Sequence, residues 1–205
     1  MKMAGQIKEG FLDRLKYLFT SPSTFFDKIG SEGILNALLT YTATFLVIHA
    51  LSAFRSFFRP HAIHYNPLNA PMFTSMFGYH GYETLTPFLW VLIQLVLSLA
   101  IIFIYAGLIF LMVKLSKGQG SYADTFKIIA YSLVPSNIIS IIPFIGLLSI
   151  FYSIVLMMFG VKELHQLSSV KAVTSVLLPS FVILMLLVLL FSAEFFLFYA
   201  PFFVT

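Results

Sequence analysis

The sequence predicts an all-α polytopic membrane protein: a five-helix transmembrane bundle with amphipathic helices at its N-terminus, the N-terminus cytoplasmic and the C-terminus extracytoplasmic. Three observations predict it. The first is composition, because 60% apolar and 10% charged residues, with a mean hydropathy of +0.96, leave too little polar surface to coat a water-soluble domain of this size. The second is that five stretches supply the about 20 mostly apolar residues needed to cross a hydrocarbon core of about 30 Å. The third is charge placement. All of the 12 Lys and Arg residues except Arg55 and Arg59 fall on one side when the five stretches are threaded up and down. Short cytoplasmic loops carry such an excess.

Taken in order, residues 1–32 form a cytoplasmic elbow. Over 6–19, Ile7, Phe11, Leu15, Leu18 and Phe19 recur at helical spacing while Lys8, Glu9, Asp13, Arg14 and Lys16 take the other face. This is the pattern of a helix lying in the interface plane. Ser21-Pro22 reads as an N-cap with proline at the first helical position. A second short helix then carries Phe25, Phe26 and Ile29 to a stop at Gly30, and Ser31 caps the first span. Phe11, Leu15, Phe19, Phe25 and Phe26 are the candidate interfacial and partner surface, turned toward lipid or toward the bundle. The first thirty residues hold repeated charges and no continuous apolar core, so no cleavable signal peptide is expected.

The spans are expected at 33–54, 86–113, 123–141, 143–161 and 172–200. The first carries Asn36, His49 and several hydroxyls; the second is long enough to tilt. Residues 140–143 are the only turn between the third and fourth, which predicts a tight hairpin, with a re-entrant pair as the competing reading. Pro135 and Pro143 each remove a backbone donor and predict kinks. Residues 55–85 form the one long connection, an extracytoplasmic cap dense in aromatics and prolines.

Motifs for chemistry are weak. Residues 118–123 match the G-x-G-x-x-A form of a dinucleotide loop, but a transmembrane helix stands where that loop needs a strand. The glycines instead end the second span, and Ser121 with Asp124 forms a box-like start of the third. His61, His64, His80, Met72 and Met76 could ligate a soft metal, yet only Glu83 accompanies them, so interfacial histidines are the expected reading and no metal or other cofactor is called. Zero cysteines exclude disulfides and thiolate chemistry. Metalloprotease, serine-elbow and paired-aspartate motifs are absent. Residues 162–166, Lys-Glu-Leu-His-Gln, sit at a helix end on the cytoplasmic surface, where Lys and His complement the dipole. No catalytic residue is assigned, and the dispersed basic residues do not form a nucleic-acid patch.

Glu194 is the one acidic residue deep in an expected span, in its outer third, level with Arg55 and Arg59. An ion pair with one of these arginines is the first reading and a proton or substrate relay the second. His49 and Gln94 would extend a polar line inward. These five residues are the candidate intramembrane polar site.

Four pieces resemble the Yip-one (Ypt-interacting protein) domain family. They are Ser21-Pro22-Ser23-Thr24-Phe25-Phe26-Asp27-Lys28-Ile29, the run from Gly120-Ser121-Tyr122 to Val134-Pro135, Ile142-Pro143-Phe144-Ile145-Gly146, and Gly160-Val161-Lys162-Glu163-Leu164-His165 through Lys171-Ala172. The resemblance implies a single membrane domain over 1–205, five spans, a cytoplasmic N-terminus and, in the eukaryotic branch, non-enzymatic trafficking roles with Rab-type GTPases. This chain lacks that branch's acidic DLYGP-type element, so it resembles a small prokaryotic-style relative and Rab-type binding is not expected. The functional expectation is a non-enzymatic adaptor or membrane-organising, trafficking-type factor. Its partners are the lipid bilayer and itself or other membrane proteins, in the cytoplasmic membrane of a prokaryote or an endomembrane of a eukaryote. The alternative is a small transporter or channel component with a polar path around Glu194.

Overall fold

The computed structural model describes residues 10–57, 87–140, 142 and 145–198. Among them there are seven helices and no strand: α1 (Phe11–Thr20), α2 (Pro22–Ile29), α3 (Ile34–Phe57), α4 (Pro87–Leu115), α5 (Tyr122–Ile139), α6 (Ile145–Leu164) and α7 (Ser169–Phe198). The five expected stretches overlap α3 through α7, with ends shifted by one to three residues. Among the described residues, three helices are long and apolar enough to cross a membrane, over Ile34–Leu51, Val91–Leu115 and Ser169–Leu186.

α5 is not among them, because its first half is polar: Asp124, Thr125 and Lys127 precede Ser132. Protein takes the place of lipid around it. Residues 125–132 are all buried, and α5 packs against α3, α6 and α4. It is the axis of the bundle. α6 behaves differently, burying Ser153, Leu156, Met157 and Val161 while Leu148, Phe151, Val155 and Phe159 point outward at helical spacing. α7 packs against α6 and α4, and the Tyr105 hydroxyl of α4 lies 2.6 Å from Ser180 Oγ of α7.

The helix ends gather by alternation. The Gln119 N–H donates to the His165 carbonyl at 3.0 Å, which brings the loop before α5 to the end of α6. Lys171 Nζ donates to the Ser116 carbonyl at 3.2 Å, which brings the start of α7 to the end of α4. Lys127 Nζ donates to the carbonyls of Gly30 and Glu32, which adds the start of α3 and the elbow. One end of the bundle therefore holds the starts of α3, α5 and α7 and the ends of α4 and α6.

The elbow is docked onto this end. Phe25, Phe26 and Ile29 of α2 are buried, and α2 lies against α6. A side chain at Gly160 would bring its Cβ within 2.6 Å of Ile128 and 3.0 Å of Phe26, so glycine there permits three helices to meet. α1 continues from α2 with Leu18 buried and Phe19 stacked on Tyr152, the ring centroids 5.7 Å apart.

Three expectations about helix ends are corrected. Ser31 does not cap α3: its hydroxyl donates back to the Lys28 carbonyl at 3.4 Å, and α3 starts three residues later. Ser21 precedes Pro22 as expected but makes no side-chain cap bond, so proline's fixed φ starts α2 without it. After α4 the left-handed residue is Lys117, at φ 62, and not Gly118, whose N–H closes the turn on the Val113 carbonyl. α5 runs through Pro135 and α7 through Pro179 without interruption.

Candidate functional site

The polar groups of the chain concentrate where the helix ends meet. α5 opens with a complete capping box: Ser121 Oγ accepts from the Asp124 N–H, and the Asp124 carboxylate accepts from the Ser121 N–H at 2.8 Å. The same carboxylate takes the Lys127 ammonium at 2.9 Å. Lys127 is only 3% exposed. Its Nζ lies 3.4 Å from the Ile29 carbonyl, 2.9 Å from that of Gly30 and 3.0 Å from that of Glu32. It thus neutralises the negative end of α2 and satisfies carbonyls that the helix leaves without partners. Charge burial is tolerable because donors and acceptors are both spent.

Beside it, Arg14 of α1 pairs with Glu32 at 2.9 Å, and the Tyr131 hydroxyl of α5 donates to the same carboxylate at 2.8 Å. Glu32 thereby fastens α1 to the bundle axis. The space beneath, between Phe11, Leu15, Leu18, Phe25, Thr40, Tyr131 and Val134, has a volume of about 10 Å³, less than a ligand needs.

His165 completes the end. The imidazole is fully buried, with Nδ1 on the Gln119 carbonyl and Nε2 at 2.9 Å from Thr125 Oγ1. Burial pushes its pKa down; the Gln119 carbonyl and the Asp124 carboxylate oppose this, and the Lys114 charge adds to it. The neutral ring therefore carries its proton on Nδ1 and accepts the Thr125 hydroxyl on Nε2. Gly120, at φ 88, lets the loop press on the ring, since a Cβ there would stand 2.7 Å from Nδ1. The expectation of a surface histidine is corrected: the ring seals the joint between two loops.

The candidate intramembrane site divides. His49 hydrogen-bonds the Phe45 carbonyl of its own helix at 2.9 Å and stacks on the Phe45 ring. Gln94 Oε1 is buried and has no hydrogen-bond partner among the described residues. Glu194 and Arg55 lie on α7 and α3, but their side chains, and Arg59 entirely, lie outside the described residues, as do the His and Met residues of 58–86. α4 packs against both α3 and α7, whereas those two helices share no extensive contact among the described residues. Of the candidate surface residues, Phe25 and Phe26 face the bundle, Leu15 is half-buried, and Phe11 and Phe19 are exposed. Sequence reasoning missed Lys127, Tyr131, Glu32 and His165. A buried lysine one turn into a span, three residues after Asp124, was the available signal.

A family model described as the Yip1 domain matches residues 16–191. No curated protein and no solved structure matches the chain. The matched stretch contains every residue of the polar end except Arg14.

Proposed function

The chain belongs to the Yip1 domain family, and from that membership we propose a non-enzymatic, trafficking-related integral membrane protein that works as an adaptor or membrane-organising factor. The observation that supports this most is how the polar groups are used. Asp124, Lys127, Glu32, Arg14, Tyr131 and His165 bind one another and helix ends, which makes a rigid platform at one end of the bundle. That platform holds α1 with Phe11 and Phe19 turned outward. A docked helix with two exposed aromatic rings suits contact with another membrane protein or a second copy. A Rab-type GTPase is not the expected partner, because the acidic element of the Rab-binding branch is missing.

The proposed arrangement has α3 to α7 all crossing, with the elbow end cytoplasmic. The five helix ends that meet there support it, and so does the lysine bias of the loops they carry. Residues 55–85 then lie outside. Proposed at the outer end is a local ion pair of Glu194 with Arg55 or Arg59, neutralising charge near lipid.

A photo-crosslinking amino acid placed at Phe11, Phe19 or Leu189 in native membranes tests the adaptor role. The expected result is the same discrete partner, identified by mass spectrometry, at Phe11 and Phe19 but not at lipid-facing Leu189, and its loss on Arg14→Ala. Lipid adducts alone at all three positions would overturn the role.

A further inference from the structure

Where α4 ends and α7 begins, ammonium groups and apolar side chains alternate on one exposed surface. Lys114 Nζ donates to the Gly120 carbonyl at 2.9 Å and Lys171 Nζ to the Ser116 carbonyl at 3.2 Å. Both lysines therefore sit on the backbone of one short loop, with exposed Lys117 between them. Ser116 and Ser175 join the two helices directly, their hydroxyl oxygens 3.2 Å apart. Each carbonyl bond takes one of the three donors on its ammonium, which leaves two for another acceptor.

Among the described residues no carboxylate pairs with these ammonium groups. The chain contains no Asp or Glu from 84 to 123 or from 164 to 193. Asp124 is held by Ser121 and Lys127, Glu32 by Arg14 and Tyr131, and Glu163 lies on the last turn of α6. Beside the lysines stand Val170 and Leu115, at 74% and 68% exposed the two most exposed large apolar side chains among the described residues. Apolar groups beside lysines, at the ends of two long apolar helices, match the boundary between acyl chains and headgroups.

We propose that Lys114, Lys117 and Lys171, with Leu115 and Val170, form a docking surface for anionic phospholipid headgroups. Charge complementarity selects the occupant: three uncompensated ammonium groups attract phosphate-bearing lipids of net negative charge over zwitterionic ones. The two apolar side chains anchor the loop in the leaflet. The elbow differs, because Lys2, Lys8, Arg14, Lys16 and Lys28 stand there against Glu9, Asp13, Asp27 and Glu32, which offset most of their charge. The inference rests on the reading that this end lies at a membrane surface, but not on which side it faces.

The test is lipid co-purification. Full-length protein in mixed micelles of phosphatidylcholine and phosphatidylglycerol is isolated at low and high salt, and its bound lipid is counted by mass spectrometry. The wild type should retain phosphatidylglycerol severalfold over its share of the mixture, less so at high salt. Replacing all three lysines with Gln should cut that enrichment at least about fivefold, while replacing all three with Arg, or Lys16→Gln alone, should preserve it. If the triple Gln variant does not fold, Lys117→Glu replaces it, since that side chain is exposed, and a partial loss is expected. Unchanged enrichment in the folded Gln variant, or in Lys117→Glu, would overturn the proposal. Because the readout is blind to orientation and needs no protein partner, failure of the adaptor reading leaves it standing.

Discussion

At the scale of single residues, His165 gives the polar end a defined pH dependence. Its folded pKa is depressed by burial, so below the unfolded value of about 6.5 the unfolded chain binds a proton that the folded chain refuses. Stability is complete above that value and falls as pH drops toward the folded pKa, by at most about 1.4 kcal/mol per pH unit. The thermal midpoint of the detergent-solubilised protein should therefore decline as pH falls below about 6.5, and His165→Asn should start lower but flatten that slope. An identical slope in the variant would assign the effect to other groups. None of this was legible in the sequence, where His165 stands at a helix end and reads as a surface residue. Its burial depends on the loop carrying Gly120, forty-five positions away. The capping box of Ser121 and Asp124 was legible, because its two partners are three residues apart. Lys127 was misread for the same reason as His165: its carbonyl partners at Ile29, Gly30 and Glu32 are almost a hundred residues distant.

At the scale of elements, helix identity was readable because each long helix is a local apolar run, and the elbow because its apolar residues recur at helical spacing. Which aromatic rings face inward was not, since α1 and α2 could bury either face until α6 provides Gly160 as a contact. The structure gives the two helices different tasks. Phe26 is fully buried against Ile128 and Gly160, whereas Phe11 is half exposed. Phe26→Ala should lower stability by about 3–5 kcal/mol and free the elbow for proteolysis. Phe11→Ser should cost less than about 1 kcal/mol. Chemical unfolding in detergent, monitored together with limited proteolysis, checks both. Equal costs would mean that α1 anchors the elbow as much as α2 does. The polar start of α5 follows the same logic: as the axis of the bundle, wrapped by α3, α4 and α6, it keeps charged residues that a lipid-facing helix could not.

At the scale of the whole molecule, the up-and-down order of α3 to α7 follows from their ends. The bonds from Gln119 to His165, from Lys171 to Ser116 and from Lys127 to Gly30 place five helix termini together. The same end carries the lysines that would hold it in the cytoplasm, while the other end carries Arg55 and, in the proposed arrangement, the segment 58–86. The arrangement proposed above is therefore an oriented bundle with its platform in the cytoplasm. Single cysteines introduced at Ser75, Ser116 and Thr205 test it most directly, against a background with no native cysteine. In intact cells an impermeant thiol reagent should label Ser75→Cys and Thr205→Cys, and should reach Ser116→Cys only after permeabilisation. Labelling of Ser116→Cys in intact cells, with Ser75→Cys protected, would invert the molecule and overturn the proposed orientation.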